Sequence, residues 1–185
     1  MRNTGSLLVI LWLSTLSLLG QEVLFVPNEG QWEGDFAYQM RLKSGALFFE
    51  ESAVQFVLKN AVQGEDHKGH HIHEAGLSAP EEGLKFHALR LKFLNGQTIN
   101  PYGTHPVSYV QNYFLGSDSS TWRSGVKPQT SLTYEGIYDG SRLEFHQGGH
   151  HLKYDWHLTN TSVFKDIEWT YDGATKISLD PEGFI

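Results

Sequence analysis

An all-β fold, an antiparallel β-sandwich or open barrel of about ten short strands, is what this sequence predicts beyond its first twenty residues. Three observations predict it. Apolar and polar residues alternate with a period of two through most of the chain, as in strands with one buried face. Nineteen glycines interrupt the pattern every few residues, where short strands need turns. No window after the start carries an amphipathic helical period.

The segments follow in order. Phe36, Tyr38, Met40 and Leu42 alternate with Ala37, Gln39 and Arg41 as a half-buried strand, and Ser44-Gly45 turns the chain into Ala46–Glu50. Val54, Phe56 and Leu58 mark the next strand. From Asn60 to Glu82 the pattern dissolves into Gly, His, Asp, Glu, Lys and Pro, which predicts a long exposed loop. Leu84–Phe93 is apolar on both faces, and Asn95-Gly96 ends it with a turn dipeptide. Val107–Phe114, Leu132–Tyr134 and Ile137–His146 are the next strands predicted. Gln147-Gly148-Gly149 then leads into the clearest one, with Leu152, Tyr154, Trp156 and Leu158 facing one way and Lys153, Asp155 and His157 the other. Ile167–Tyr171 and Lys176–Leu179 complete the set. No internal repeat of fixed period is present.

The first residues differ in kind. Arg2 precedes the apolar run Leu7–Leu13, Ser14, Thr15 and Ser17 interrupt it, and Gly20-Gln21 offers a cleavage point. A charged start, a short apolar segment and a small residue form an export signal. A stable membrane span needs about 20 apolar residues, and this run is shorter. Residues 1–20 are therefore assigned as a signal peptide and residues 21–185 as a single β domain without a membrane span. The expected location is secreted or at the cell surface. The abrupt end at Asp180-Pro181-Glu182-Gly183-Phe184-Ile185 is expected of a fragment of a longer polypeptide.

Composition narrows the function. The net charge of −7 argues against a nucleic-acid partner, which requires a basic face to neutralise phosphates. The absence of cysteine removes disulfide stapling, thiolate chemistry and zinc–sulfur sites, leaving stability to the core.

Several stretches together resemble an uncharacterised N-terminal β domain of large secreted and cell-surface proteins of the Bacteroidota. They are Phe25-Val26-Pro27-Asn28-Glu29-Gly30-Gln31-Trp32, Gly45–Glu50, Asn112-Tyr113-Phe114-Leu115-Gly116 with Trp122, and Tyr134-Glu135-Gly136-Ile137-Tyr138. Leu152-Lys153-Tyr154-Asp155 and Tyr171-Asp172-Gly173-Ala174 follow in the same order. The resemblance implies a module ahead of repeat or immunoglobulin-like modules and of a type IX sorting domain linked to gliding motility. It implies no catalytic activity. Two departures are evident: Arg142 occupies the place of an aspartate in that pattern, and Thr159-Asn160-Thr161-Ser162 replaces a turn with proline and glycine.

Few residues offer chemistry. His67, His70, His71 and His73 fall within seven residues, between Asp66 and Glu74, and imidazoles with carboxylates can collect zinc or another divalent metal. A working site needs ligands on rigid elements, so a solvated loop is the plainer reading and no cofactor is expected. Gly148-Gly149-His150-His151 reads as a turn with exposed imidazoles. Glu144 and Asp155, on strands expected to be neighbours, are the carboxylate pair to examine for hydrolase chemistry, which needs a separation of about 5 to 9 Å. No nucleophile elbow, metalloprotease helix or phosphate loop occurs. Trp32 and Trp122 lie beside turn residues and are the candidate ligand-binding aromatics, although large aromatics near turns commonly anchor loops. The expectation is a non-catalytic N-terminal module acting in adhesion, assembly or binding. Its partners would be downstream modules of the same polypeptide, and a surface glycan or protein. The alternatives are a carbohydrate-binding module and a hydrolase.

Overall fold

The computed structural model describes residues 23–59, 85–148 and 151–178. It is all-β, as the alternation predicts, and takes the open-barrel form: one curled antiparallel sheet shaped as a half-barrel, with a small second sheet. The first half of the chain supplies β1 (Phe25–Pro27), β2 (Tyr38–Leu42), β3 (Gly45–Phe49), β4 (Ala53–Lys59), β5 (Phe86–Leu94) and β6 (Tyr102–Pro106). The second half supplies β7 (Gln111–Tyr113), β8 (Arg123–Val126), β9 (Gln129–Glu135), β10 (Ser141–Gly148), β11 (His151–Leu158) and β12 (Glu168–Asp172). The large sheet runs β11-β10-β9-β1-β2-β3-β4-β5-β12, with β6 also pairing β9, while β7 and β8 pair only with each other.

The alternation determines which side chains enter the half-barrel. Met40 lies opposite Leu47, and Leu47 opposite Phe56, so one inward row crosses β2, β3 and β4. Across the interior, Phe49 meets Phe25 edge-on at 5.3 Å and Phe145 at 5.2 Å. Leu132, Tyr134, Ile137 and Leu143 complete the most buried part. The Tyr134 hydroxyl donates to the carbonyl of Glu50 (2.7 Å), and the Tyr138 hydroxyl reaches the carbonyls of Leu94 (2.9 Å) and Glu168 (2.6 Å). Burial pushes the Tyr134 phenol well above its ordinary value, with the Glu50 carboxylate adding to the effect. The two tyrosines of the Tyr134-Glu135-Gly136-Ile137-Tyr138 motif therefore act as internal ties between strands.

The two ends of the sheet meet without a ladder among the described residues. Trp156 of β11 stacks on Trp169 of β12 with ring centroids 6.5 Å apart and planes 23° apart. Tyr154 meets Trp169 edge-on at 5.9 Å. Aromatic packing, rather than backbone hydrogen bonds, thus closes the seam of the half-barrel. Trp156 is half-buried in that seam.

Some segments depart from the sequence reading. Of the predicted strand at Val107–Phe114 only Gln111–Tyr113 forms one, and β6, which the alternation does not announce, lies wholly before it. His105, within β6, adopts a positive φ of 61°. The segment Ile137–Gly140 is a turn, with Gly136 and Gly140 both at positive φ, and β10 begins at Ser141. β1 and β8 lacked enough alternating residues to announce themselves. Lys176–Ser178 is irregular. The predicted signal peptide at 1–20, the whole of the predicted loop at 60–82, and His150 lie outside the described residues.

Candidate functional site

The Asn28-Glu29-Gly30-Gln31-Trp32 stretch follows β1 and closes on itself through side-chain amides. The Asn28 carbonyl oxygen accepts from the backbone N–H of Gly30 (3.2 Å) and of Trp32 (3.3 Å). Its amide nitrogen donates to the carbonyls of Trp32 (3.2 Å) and Phe36 (3.3 Å). Gln31, buried in the loop, donates to the Pro27 carbonyl (2.6 Å) and accepts from Glu29 N–H (2.7 Å). Asparagine and glutamine here replace the backbone pairing that a strand would provide. The motif is a turn device.

This loop holds Trp32 half-buried. Trp32 lies nearly parallel to Phe36 (6.2 Å, 28°) and edge-on to Tyr113 of β7 (4.9 Å), while Phe36 in turn meets Phe48 of β3 (4.9 Å). Two adjoining hollows follow this aromatic row. One, of about 660 Å³, is bounded by Asn28, Trp32, Asp35, Glu51, Ser52 and Asn100. The other, of about 490 Å³, is bounded by Glu33, Phe48, Gln55, Val57 and Arg90, and both share Asp35, Phe36 and Glu50. Arg90 pairs with Glu50 in the floor, and its buried Nε lacks a partner.

Arg123, the first residue of β8, joins this loop to the small ribbon β7–β8. Its guanidinium donates to the carbonyls of Glu29, Ser120 (2.7 Å) and Trp122 (2.8 Å). Gly30, at φ 99°, approaches the same guanidinium so closely that a Cβ would collide with it. Within the ribbon, Asn112 Oδ1 accepts from Gly125 N–H (2.9 Å), and the Trp122 indole donates to the Leu115 carbonyl (3.3 Å). Asp118 caps the adjacent 3-10 turn by accepting from Ser120 N–H (2.9 Å), and its hydrogen bonds with Ser120 hold its carboxyl below the ordinary range.

Exposed apolar residues flank this ribbon, Phe114, Leu115 and Trp122 at one end and Val110 at the other, while Asn112, Ser124 and Gly125 are exposed within it. Val110 is 51% exposed, Phe114 59%, Leu115 45% and Trp122 41%, and Tyr109 beside them is exposed as well. Phe114 and Trp122 touch edge-to-face at 5.6 Å and 74°. Of the two aromatics that the sequence singles out, Trp122 is thus on an exposed apolar patch and Trp32 in the neighbouring groove. Tyr113 contacts Trp32, and the next residue, Phe114, contacts Trp122. Sequence reading missed Val110, Phe114 and Leu115 because an unbroken strand through 107–114 would bury every second residue. The available signal was Phe114-Leu115 directly before Gly116, two adjacent apolar residues that break the alternation.

The profile of the family described as Domain of unknown function (DUF7948) matches residues 25–185. The chain belongs to that family. The DUF7948 match begins at the first residue of β1 and includes the Asn28 loop, the ribbon and both edges of the half-barrel. No curated protein and no solved structure matches the chain.

The other residues that the sequence nominated fall elsewhere on this DUF7948 domain. His67, His70, His71 and His73 lie outside the described residues. Glu144 of β10 lies directly opposite Asp155 of β11, as expected, and each is paired with a histidine: His146 Nε2 to Asp155 at 2.7 Å and His157 Nε2 to Glu144 at 3.5 Å. The carboxylates face outward, and Asp155 is 59% exposed. Like charges directly opposed on a sheet repel, and the hydrogen bond of His146 to Asp155 relieves that repulsion along one diagonal. Arg142, at the place of the aspartate in the resembled pattern, is exposed opposite Glu135 and His157. Asn160 caps the turn after β11 by accepting from Ser162 N–H (3.0 Å), which takes over the role of the proline- and glycine-containing turn.

The hydrogen bond to Asp155 raises the His146 pKa above 6.5, and the Asp155 and Glu144 charges add to it. A raised folded-state pKa contributes stability that is complete below the unfolded value and is lost as pH rises through the folded value. The expected result is an NMR titration of His146 with its midpoint above 6.5, returning toward 6.5 in Asp155→Asn. The stability difference between those proteins should be larger near pH 5 than near pH 8, roughly either side of the imidazole range. An unchanged midpoint in Asp155→Asn would refute the assignment.

Proposed function

We propose that this DUF7948 domain is a non-catalytic N-terminal module of an exported, cell-surface or secreted protein, acting in adhesion, assembly or binding through the apolar end of the ribbon β7–β8. The observation that carries the reading is the cluster of Phe114, Leu115 and Trp122, exposed at one end of a ribbon held by Arg123, Asn112 and the Trp122 indole. Soluble proteins seldom leave contiguous apolar patches open, and such patches mark interaction sites. The occupant is a protein surface, with downstream modules of the same polypeptide as the first partner.

Export rests on the Arg2 and Leu7–Leu13 signal, and the resemblance to secreted Bacteroidota proteins with gliding-associated type IX sorting domains supplies the setting. The non-catalytic half is supported by Glu144 and Asp155, which are engaged by histidines on an open sheet face.

A second reading has an observation of its own. The Trp32–Phe36–Phe48 row beside Asp35, Glu50, Glu51 and Arg90 combines apolar ring faces with hydrogen-bonding groups, a composition suited to sugars. It ranks second because Trp32 and Phe36 stack on each other, and the exposed pair Phe114–Trp122 is at 74° rather than coplanar.

The test places a photo-crosslinking benzoylphenylalanine at Phe114 of the whole exported polypeptide and screens residues 21–185 on a glycan array. Crosslinks from position 114 to a downstream module, abolished by Trp122→Ser, are expected. A reproducible glycan hit that Trp32→Ala removes, with no crosslink at 114, would replace this reading with the groove.

A further inference from the structure

The interior of the half-barrel is not filled along its whole length. Beside the packed Phe49–Phe145 contact lies a cavity of about 280 Å³, lined by Met40, Leu47, Phe56, Leu91, Leu152 and Trp169 among others. Close-packed interiors contain few voids larger than a water molecule. An apolar cavity of roughly 150 Å³ stays dry and takes up benzene. This one is almost twice that size, and the phenols of Tyr154 and Tyr171 are the polar groups in its otherwise aliphatic and aromatic wall.

One end of the cavity lies beside two turns. Leu42, which lines it, pairs with Gly45 at the β2–β3 turn, and Leu152 pairs with Gln147 at the β10–β11 connection. Tyr154 and Tyr171 also line it, and Tyr154 is half-exposed. Burial and the proximity of Tyr154 both raise the Tyr171 pKa, so the two phenols are neighbours on β11 and β12. At this side of the sheet Lys43 lies in the β2–β3 turn and Lys85 directly precedes β5, both exposed, while Lys59 and Lys153 alternate with Phe56, Leu152 and Tyr154 and face the opposite side of the sheet. Asp172, the carboxylate at the neighbouring end of β12, is paired with Lys92.

An apolar cavity flanked by phenols and lysines selects a ligand with an apolar tail and an anionic head. We propose that the half-barrel binds one single-chain fatty carboxylate, with the tail in the cavity and the carboxylate at the lysine-bearing end. This site is separate from the β7–β8 ribbon and does not depend on the function proposed there. It is non-covalent throughout.

The test titrates residues 21–185 with octanoate, decanoate, dodecanoate and hexadecanoate below their micelle thresholds, by calorimetry and by tryptophan emission. Trp169 in the cavity wall and Trp156 stacked on it are the natural reporters. One ligand per chain is expected. Each methylene that still fits should tighten binding about fourfold, and the gain should cease once the tail outgrows the cavity. The Lys43→Glu/Lys85→Glu variant should weaken decanoate several-fold and leave decanol unchanged, because both lysines are exposed. Leu152→Phe should move the preferred tail to a shorter length. Absence of saturable binding, or affinity independent of tail length, overturns the proposal in the wild-type protein alone. Decanoate binding that ignores the lysine reversals overturns the assignment of the head group.

Discussion

Phe49→Ala is expected to destabilise the domain by about 3 to 5 kcal/mol, the range for deleting a buried phenylalanine ring. Phe49 is completely buried, and its ring meets Phe25 of β1 and Phe145 of β10 edge-on. Those strands come from the beginning, the first third and the last third of the chain, so one side chain joins three distant segments. The loss combines the transfer energy of the ring with a void that the β-barrel wall cannot collapse to fill. For a domain of this size the melting temperature should fall by about 6 to 20 °C. Phe49→Leu, which keeps most of the volume, should cost less than half as much. Thermal and urea unfolding monitored by tryptophan emission will decide, and a loss below about 1 kcal/mol would mean that the two sides of the half-barrel do not close on Phe49.

Asn28→Ala should produce the second largest effect, about 2 to 3 kcal/mol, with a more local signature. The side chain carries four hydrogen bonds to the backbone of Gly30, Trp32 and Phe36, each worth roughly 1 kcal/mol before discounting for partial exposure. Without them, Gly30 and Trp32 N–H exchange faster with solvent, and the near-ultraviolet signal of Trp32 weakens. Asn28→Asp keeps the acceptor for Gly30 and Trp32 N–H and loses the donor to the Trp32 and Phe36 carbonyls. It should recover about half of the loss, on the same per-bond scale. If alanine and aspartate behave alike, the loop is held instead by Arg123 and by the packing of Trp32.

Because Arg123 spans the Glu29 carbonyl and the Trp122 carbonyl, the Asn28 loop and the exposed ribbon form one mechanical unit. Loosening Asn28 should therefore be felt at Trp122 as well as at Trp32. That coupling would link a motif with no reactive group in it to the proposed binding surface.

Local pattern made much of this molecule legible from its sequence alone. Met40 and Leu42, and Leu152 through Leu158, point where alternation puts them, because a pleated strand turns every second side chain to the same face whatever its neighbours. The Ser44-Gly45 turn and the opposed Glu144 and Asp155 could be read for the same reason. The resembled motifs fall within the residues that the DUF7948 family matches, and the roles of Asn28, Gln31, Tyr134 and Tyr138 are structural ties that need particular side chains at particular places.

Tertiary contact decided the rest. β1 is three residues long and exists because β2 and β9 flank it, a pairing with no local signature. That only 111–113 of 107–114 forms a strand follows from β6 docking against β9 while β7 pairs with β8 instead. Whether the strands would make a sandwich or an open barrel turned on the seam, where Trp156 and Trp169 stack without hydrogen-bonding β11 to β12. The exposure of Trp122, the groove at Trp32 and the apolar cavity all depend on which distant segments meet. Alternation states only which residues share a face; what that face meets is determined by packing between segments far apart in the chain.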